Sequence, residues 1–303
     1  MKNTILITGI ALFTSVISLA QASFQGQATY ETKTNVEAFT KNMPRPQGMN
    51  ITPEMEAQMK ERMRKAMEKT FVLTFDKTNS IYKEQEKLDA TGNDNQRGMR
   101  MMMNSISGGG GTYFKDVKEK TYTVDKDFMG KEFLVKDTLT SFNWKMTGET
   151  KKIGDYTVYK ATAVIPVDAS DMRNLRPAPQ GQENSKDTKK DVKDKESKTN
   201  FFASVEIPKE KTITAWYTPE VPVNQGPDVY WGLPGLILEV SDGTTITVCT
   251  KIAINPKDKV EIKAPKKGKA ITQKEFNETV VKKMQEMRDQ FQNGGNRQGP
   301  PRF

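Results

Sequence analysis

Short runs of alternating apolar and polar residues recur through most of this 303-residue chain, and they restrict its fold more than any other feature. Residues 71–75 and 156–165 are two such runs. A period of two residues places successive side chains on opposite faces of a β-strand. The connections between many of the runs are short, which favours hairpins over strand-helix-strand units. The pattern therefore predicts a mainly β fold with a few helices (α+β), built as a single curved antiparallel sheet or half-barrel packed by two helices.

Twelve runs fit the strand pattern, and several are bounded by glycine, proline or short polar residues. The predicted strands are residues 26–34, 71–75, 81–86, 113–117, 120–124, 131–135, 141–146, 156–165, 212–217, 235–240, 244–254 and 259–263. The single cysteine, Cys249, falls inside one of these runs, and a small buried core residue is its expected role.

Two segments carry helix signals instead. Thr52 followed by Pro53 is a typical helix start, and methionines follow at steps of four residues up to about residue 69. Such a stripe usually packs on a sheet as adaptable core filler. Near the end of the chain, Thr272 and Glu275 have the spacing of a capping box. The apolar residues that would line one face of this second helix are Phe276, Val280, Met284, Met287 and Phe291.

The N-terminus predicts export. Lys2 precedes an apolar run over residues 5–20, and Ala20-Gln21-Ala22 fits a cleavage site, so residues 1–22 are expected to be a signal peptide. The run is too short for a spanning helix, and no cysteine near the cleavage point could carry a lipid. The protein is therefore expected in the periplasm or outside the cell, with no transmembrane segment after cleavage.

The remainder is expected to form one β-rich domain over residues 23–292. Two polar stretches, at about 91–111 and 168–200, lack the apolar residues needed to join a core. They are predicted to be disordered insertions, and residues 293–303 a disordered tail.

One motif is far more specific than the rest. Gly232, Leu233, Pro234, Gly235, Leu236 and Ile237 spell GLPGLI, directly before a predicted buried strand. With the pattern over residues 144–156 and Lys160-Ala161, this motif resembles the GLPGLI family of exported Bacteroidota proteins. The resemblance implies no established activity. It suggests a role beside an outer-membrane receptor or another envelope protein.

The motif also has a physical interpretation. Gly232 and Gly235 are expected to hold positive backbone dihedrals in a fixed turn, because Pro234 cannot donate to a strand ladder. Four aromatic residues flank that turn: Trp216, Tyr217, Tyr230 and Trp231. They could line a ligand groove held open by the turn. Alternatively they plug the end of a bending sheet, and a turn of this composition favours that structural role over the groove.

Catalysis has little support in the sequence. The chain has no histidine, which removes histidine-dependent triads and histidine-ligated zinc, and no phosphate-binding or dinucleotide motif occurs. We therefore expect no enzyme activity and no cofactor. A carboxylate-dependent hydrolase is a distant alternative, based on the acidic residues near the motif: Glu220, Asp228, Glu239 and Asp242. The net charge of +9 is spread among interleaved acidic and basic residues, so no nucleic-acid partner is expected.

The chain is also unusually rich in methionine, with 16 residues. Four of them lie in the polar stretch before the glycine run, at Met99, Met101, Met102 and Met103. A loop has no core for these side chains to fill, and thioethers are soft ligands suited to Cu(I). The leading expectation is thus a non-catalytic envelope protein that binds an apolar ligand or a protein partner on a curved sheet. A methionine-based Cu(I)-binding protein is the alternative.

Overall fold

The computed structural model describes residues 24–36, 52–85, 111–167 and 209–294. The predicted signal peptide, nearly all of both predicted insertions, residues 295–303 and the four methionines at 99 and 101–103 lie outside the described residues. Within the described ranges the strands are β1 (Gly26–Thr34), β2 (Lys69–Phe75), β3 (Asn79–Glu84), β4 (Tyr113–Asp116), β5 (Thr121–Phe128), β6 (Lys131–Thr138), β7 (Lys145–Ile153), β8 (Tyr156–Pro166), β9 (Glu210–Thr218), β10 (Leu236–Ser241), β11 (Thr245–Ile254) and β12 (Lys269–Ile271). The helices are α1 (Pro53–Met67) and α2 (Gln273–Gly294).

All twelve strands belong to one sheet, in the order β12-β6-β5-β4-β3-β2-β1-β11-β10-β9-β8-β7. Neighbouring strands are antiparallel except β12 and β6, which are parallel. The prediction of a mainly β fold on a single sheet is confirmed, and the sheet is open rather than closed into a barrel.

The connection from β6 to β7 requires the sheet to curve. These strands are second and twelfth in the sheet, ten strand spacings apart. Along the sheet that separation is roughly 48 Å, at about 4.8 Å per spacing. Only residues 139–144 join the two strands, and a fully extended chain of this length reaches roughly 25 Å. The sheet must therefore bend until its two sides approach each other. We call residues 139–144 the crossover.

Helix α1 begins as predicted but does not bury its methionine stripe. The Thr52 hydroxyl accepts a hydrogen bond from the Met55 backbone N–H at 3.3 Å, and Pro53 is the first helical residue. Met55 and Met59 are both exposed, whereas Met63 is half-buried. The prediction that this stripe fills a core is therefore wrong for its first two members.

Helix α2 begins with the predicted capping box. The Thr272 N–H donates to the Glu275 carboxylate at 2.7 Å, and the Glu275 N–H donates back to the Thr272 hydroxyl at 3.2 Å. Phe276 and Val280 are buried in a cluster with residues of β5 and β6. Neither described helix combines the length and apolar character needed to cross a bilayer.

Two strand predictions are wrong, one in part and one entirely. Residues 141–144 belong to the crossover, and the strand begins only at Lys145. Residues 259–263 form no strand, because the Gln25 side chain binds both backbone groups of Val260, at 3.0 Å and 2.7 Å. The short strand β12 was not expected. Cys249 is buried, as predicted, and burial raises the pKa of its thiol to about 12.

Candidate functional site

The segment that joins β9 to β10, residues 219–235, contains most of the sequence motif, and we call it the β9–β10 loop. Val221, Val223, Gln225 and Leu233 on this loop are buried. The loop folds back on itself and on the start of β10. Backbone hydrogen bonds close it, from Gly232 N–H to Asn224 O (3.2 Å), Leu236 N–H to Val221 O (3.0 Å) and Ile237 N–H to Gln225 O (3.0 Å). The loop is thus a folded part of the core rather than a solvated connection.

A buried lysine holds this loop from beneath. Lys115 on β4 is fully buried, and its ammonium donates to three backbone carbonyls of the loop. The acceptors are Gly226 O at 2.5 Å, Asp228 O at 2.8 Å and Tyr230 O at 3.1 Å. An ammonium has three hydrogens, so each carbonyl can receive one. Burial lowers the pKa of Lys115 to about 7, and the charge of Asp228 opposes that shift.

Two further buried polar groups on the sheet contact the loop or the strand that follows it. Ser80 on β3 lies directly opposite Lys115 in register, and its hydroxyl is 2.8 Å from the Gln225 side-chain oxygen. The Tyr30 hydroxyl on β1 donates to Ile237 O at 2.7 Å. Gln225 is fully buried, and its side-chain nitrogen has no hydrogen-bond partner among the described residues. Polar side chains from three strands therefore converge on the β9–β10 loop and the start of β10.

The two motif glycines are required for different reasons. Gly232 has a φ of +92°, as expected, in a region that side chains rarely adopt. Gly235 does not have a positive φ, so that part of the expectation is wrong. A Cβ at Gly235 would instead lie within 2.2 Å of the Thr218 backbone oxygen. Gly235 is needed because two segments of backbone approach each other there.

The four aromatic residues that flank the motif do not all lie together. Trp216 and Tyr217 are consecutive in β9, so their side chains lie on opposite faces of the sheet. The Lys151 ammonium lies 4.3 Å from the centre of the Trp216 ring. The Tyr217 ring packs at 6.1 Å from Tyr159. Tyr217 belongs to the buried cluster against which Tyr230 packs, whereas Trp216 packs against a different cluster. Only Trp216 is therefore separated from Tyr230.

Tyr230 and Trp231 also contact two aromatic residues of the crossover. The Phe142 ring stacks on Trp144 at 5.1 Å and packs against Tyr230 at 5.6 Å. The Trp144 indole N–H donates to Trp231 O at 2.9 Å, and the Trp231 indole N–H donates to Thr140 O at 2.8 Å. All four rings are half-buried. We call Phe142, Trp144, Tyr230 and Trp231 the aromatic surface.

The acidic residues near the motif each have a local structural role. Glu220 accepts from the Thr157 N–H at 2.9 Å, and Glu239 pairs with Lys151 at 2.6 Å. Asp242 accepts from two backbone N–H groups of its own turn. Asp228 acts on Lys115 and Tyr82 through its charge. Among the described residues, no group of three or more acidic, cysteine or histidine side chains is arranged to bind a metal ion.

Several residues of this site could not have been selected from sequence. Lys115 occupies an ordinary strand pattern, in which a lysine is normally solvated. Phe142 and Trp144 alternate with polar residues as strand residues do, so their pattern predicts a strand. Gln225 sits in a polar, proline-containing stretch that is typical of an exposed turn. Their role depends on contacts between segments more than 80 residues apart, which no local pattern encodes.

The two glycines give a first prediction. We expect Gly232→Ala to cost about 1–2 kcal/mol of unfolding free energy, the usual cost of a side chain at positive φ. Gly243→Ala should cost about the same, because Gly243 also has a positive φ and open space around it. Gly235→Ala should cost more than either, since its methyl group would displace backbone. Urea melts of the three variants measure this, and a Gly235→Ala variant as stable as the other two would contradict it.

Lys115 gives a second prediction, on pH. The pKa of Lys115 is about 7 in the folded protein and about 10.4 in an unfolded chain. Between these values the unfolded state binds more protons, so the contribution of Lys115 to stability increases as the pH rises from 7 to 10. Below pH 7 both states are protonated and the contribution is constant.

The pH prediction for Lys115 is tested against the variant Lys115→Met, whose side chain has a similar length but cannot titrate. We expect Lys115→Met to be less stable than the wild type at pH 7, because three carbonyls lose their donor. The gap in unfolding free energy between the two proteins should widen between pH 7 and 10. Urea melts at several pH values measure this difference. A difference in unfolding free energy that stays constant from pH 7 to 10 would contradict a lowered pKa for Lys115.

Comparisons with known proteins agree with the coarse expectation. Residues 144–239 match a family described as "Protein of unknown function (Porph_ging)". The match begins at Trp144 and includes the whole β9–β10 loop, but it covers less than half of the chain. It agrees with the expected resemblance to a family without an established activity. It does not confirm the name GLPGLI.

No curated protein matches this sequence. Among solved structures the chain is similar to "Structure of PNGF-II in C2 space group", at 12% identity and a TM-score of 0.44, over 86% of this chain and 33% of that one. It is similar to "Structure of PNGF-II in P21 space group" at 12% identity and 0.43, over 85% and 33%. This chain spans about a third of the length of those chains, and similarity at this level supports no conclusion about fold or function.

Proposed function

We propose that this protein is a non-catalytic binding protein of the cell envelope, which recognises a protein partner with its aromatic surface. The observation that carries the proposal is the support beneath that surface. Tyr230 and Trp231 lie on a loop whose backbone is bound by the Lys115 ammonium. Because the loop is fixed before binding, little conformational freedom would be lost when a partner docks.

The composition of the aromatic surface supports a protein partner. Tyrosine, tryptophan and phenylalanine are enriched in protein interfaces, and tryptophan and tyrosine are frequent among the residues that contribute most to binding energy. The rings at Phe142, Trp144, Tyr230 and Trp231 are half-buried, so each keeps part of its area available. Both indole N–H groups are already bonded to backbone carbonyls. A partner would therefore meet mainly apolar ring area.

An apolar ligand on the sheet has less support. Lys115 and Ser80 show that the β9–β10 loop covers the sheet face at β3 and β4. A depression of about 460 Å³ lies elsewhere, along α2, and it is lined largely by charged residues. Ligand pockets are usually lined by apolar and aromatic side chains.

A binding role rather than catalysis also agrees with the side chains at the site. The chain has no histidine. Glu220, Glu239 and Asp242 are bonded to backbone or lysine partners, which is typical of structural carboxylates. The carboxylate hydrolase considered from the sequence thus gains no support from their positions.

The expected signal peptide leads us to place the protein in the periplasm or outside the cell, and the partner in the same compartment. An outer-membrane receptor or another envelope protein would meet this condition. No nucleic-acid partner is proposed, because acidic and basic residues are interleaved along the chain.

A photo-crosslinking experiment tests the proposal. A benzoylphenylalanine that replaces Phe142 places the reactive ring in the aromatic surface, and one that replaces the exposed Val281 on α2 is the control position. In intact envelopes we expect a discrete crosslinked product from position 142 and none from 281. Adding Trp231→Ala should reduce the yield from position 142 at least several-fold, because it removes one of the two indole rings of the surface.

The stability of the Trp231→Ala variant must be checked by a urea melt, so that unfolding does not mimic lost binding. A crosslink at position 142 that is unaffected by Trp231→Ala in a folded protein would contradict the proposal. Equal yields of crosslinked product from positions 142 and 281 would also contradict the proposal.

A further inference from the structure

The methionine stripe on α1 is exposed where a core role would require burial. Met55 is 55% exposed and Met59 is 42% exposed, and Met63 one turn later is half-buried. Residues four apart on a helix are neighbours on one face, with Cβ atoms about 5–6 Å apart. The helix therefore presents consecutive thioethers to solvent, side by side, on a regular backbone.

Thioethers are the accessible soft ligands in the described part of this chain. The sequence has no histidine. Its single thiol, at Cys249, is buried and hydrogen-bonded to the Lys251 carbonyl. Thioethers select Cu(I) among the first-row metals, whereas Zn²⁺, Mg²⁺ and Ca²⁺ favour nitrogen, thiolate or oxygen ligands.

We propose that Met55 and Met59, with Met63 as a third ligand, form a Cu(I)-binding site on the exposed face of α1. The site is separate from the aromatic surface and does not depend on the function proposed for it. Methionine side chains have three rotatable bonds, so neighbouring sulfurs can converge on one ion without moving the helix. On binding, the sulfurs replace water or a chelator on the metal. The copper stays Cu(I), and neither an electron nor a proton is exchanged.

The charges around the stripe permit a cation there. Glu54 and Glu56 lie in the first turn, where they counteract the positive end of the helix dipole. Three of the four basic residues of the helix pair with carboxylates: Lys60 with Glu56 at 2.9 Å, Arg64 with Glu61 at 2.7 Å and Lys65 with Glu61 at 3.6 Å. These pairs reduce the repulsion that unpaired ammonium and guanidinium groups would exert on a metal ion.

The test is an anaerobic titration of the purified full chain with Cu(I), in competition with a colorimetric Cu(I) chelator. The double variant Met55→Leu/Met59→Leu removes two sulfurs but keeps apolar volume and helix propensity. A matched control is Met129→Leu/Met146→Leu, since Met129 and Met146 are 49% and 54% exposed at other places on the surface. We expect the helix variant to bind one equivalent of Cu(I) fewer than the wild type, and the control variant to bind as much as the wild type.

A second measurement identifies the donor. Methionine thioethers carry no proton, so the Cu(I) affinity of this equivalent should stay constant between pH 6 and 8 once the chelator is calibrated at each pH. Thiolate or imidazole ligands would give an affinity that rises with pH. Ag(I), added as a redox-inert probe, should shift the methyl NMR signals that disappear in the helix variant.

Three results would overturn the proposal. The wild type could bind no Cu(I), the helix variant could bind as much as the wild type, or the control variant could lose the same equivalent. The second result would move any copper binding to methionines elsewhere in the chain. A circular dichroism spectrum identical to that of the wild type shows that the helix variant is folded, so each outcome can be interpreted.

Discussion

The Lys115 ammonium beneath the β9–β10 loop is the interaction on which the most specific part of this structure depends. A loop that crosses a sheet face buries backbone carbonyls that no strand can satisfy, and an unsatisfied buried carbonyl costs about 1–3 kcal/mol. One lysine supplies three donors to Gly226, Asp228 and Tyr230. Its charge is expensive to bury, and the three carbonyls replace only part of the lost hydration, since burial still lowers the pKa of Lys115 to about 7. Three carbonyl oxygens surround the ammonium as they could surround a bound cation, but here the cation is a side chain of the protein itself.

The curvature of the sheet brings the rest of the site to this loop. The crossover is short, so β7 must lie near the far side of the sheet, where β6 ends. Phe142 and Trp144 on the crossover therefore meet Tyr230 and Trp231 on the loop, and the two indoles bind backbone carbonyls of the opposite segment. Bending of the sheet and the position of the loop are thus coupled. The aromatic surface exists only when both are in place.

Much of the fold follows from local patterns, and the site does not. The alternation in β8 and β9 and the capping box at Thr272 are local signals, and the structure agrees with each of them. Gly232 was correctly predicted from its type, because positive φ is a local property. The requirement at Gly235 was misassigned, because its cause is the Thr218 carbonyl of another segment. Lys115 was missed for the same reason, since burial is decided by what covers a strand.

The most direct test of the account measures the opening of the loop by amide hydrogen exchange in the wild type and Lys115→Met. The reporters are the N–H groups of Gly232 and Ile237, whose bonds close the loop. The reference is the Asn35 N–H, which donates to Thr244 O at the other end of β1 and belongs neither to the loop nor to the crossover. If Lys115 holds the loop, exchange at Gly232 and Ile237 should accelerate at least about tenfold relative to Asn35, or about 1.4 kcal/mol. If all three amides change by the same factor, or none changes, Lys115 does not hold the loop and the central claim is wrong.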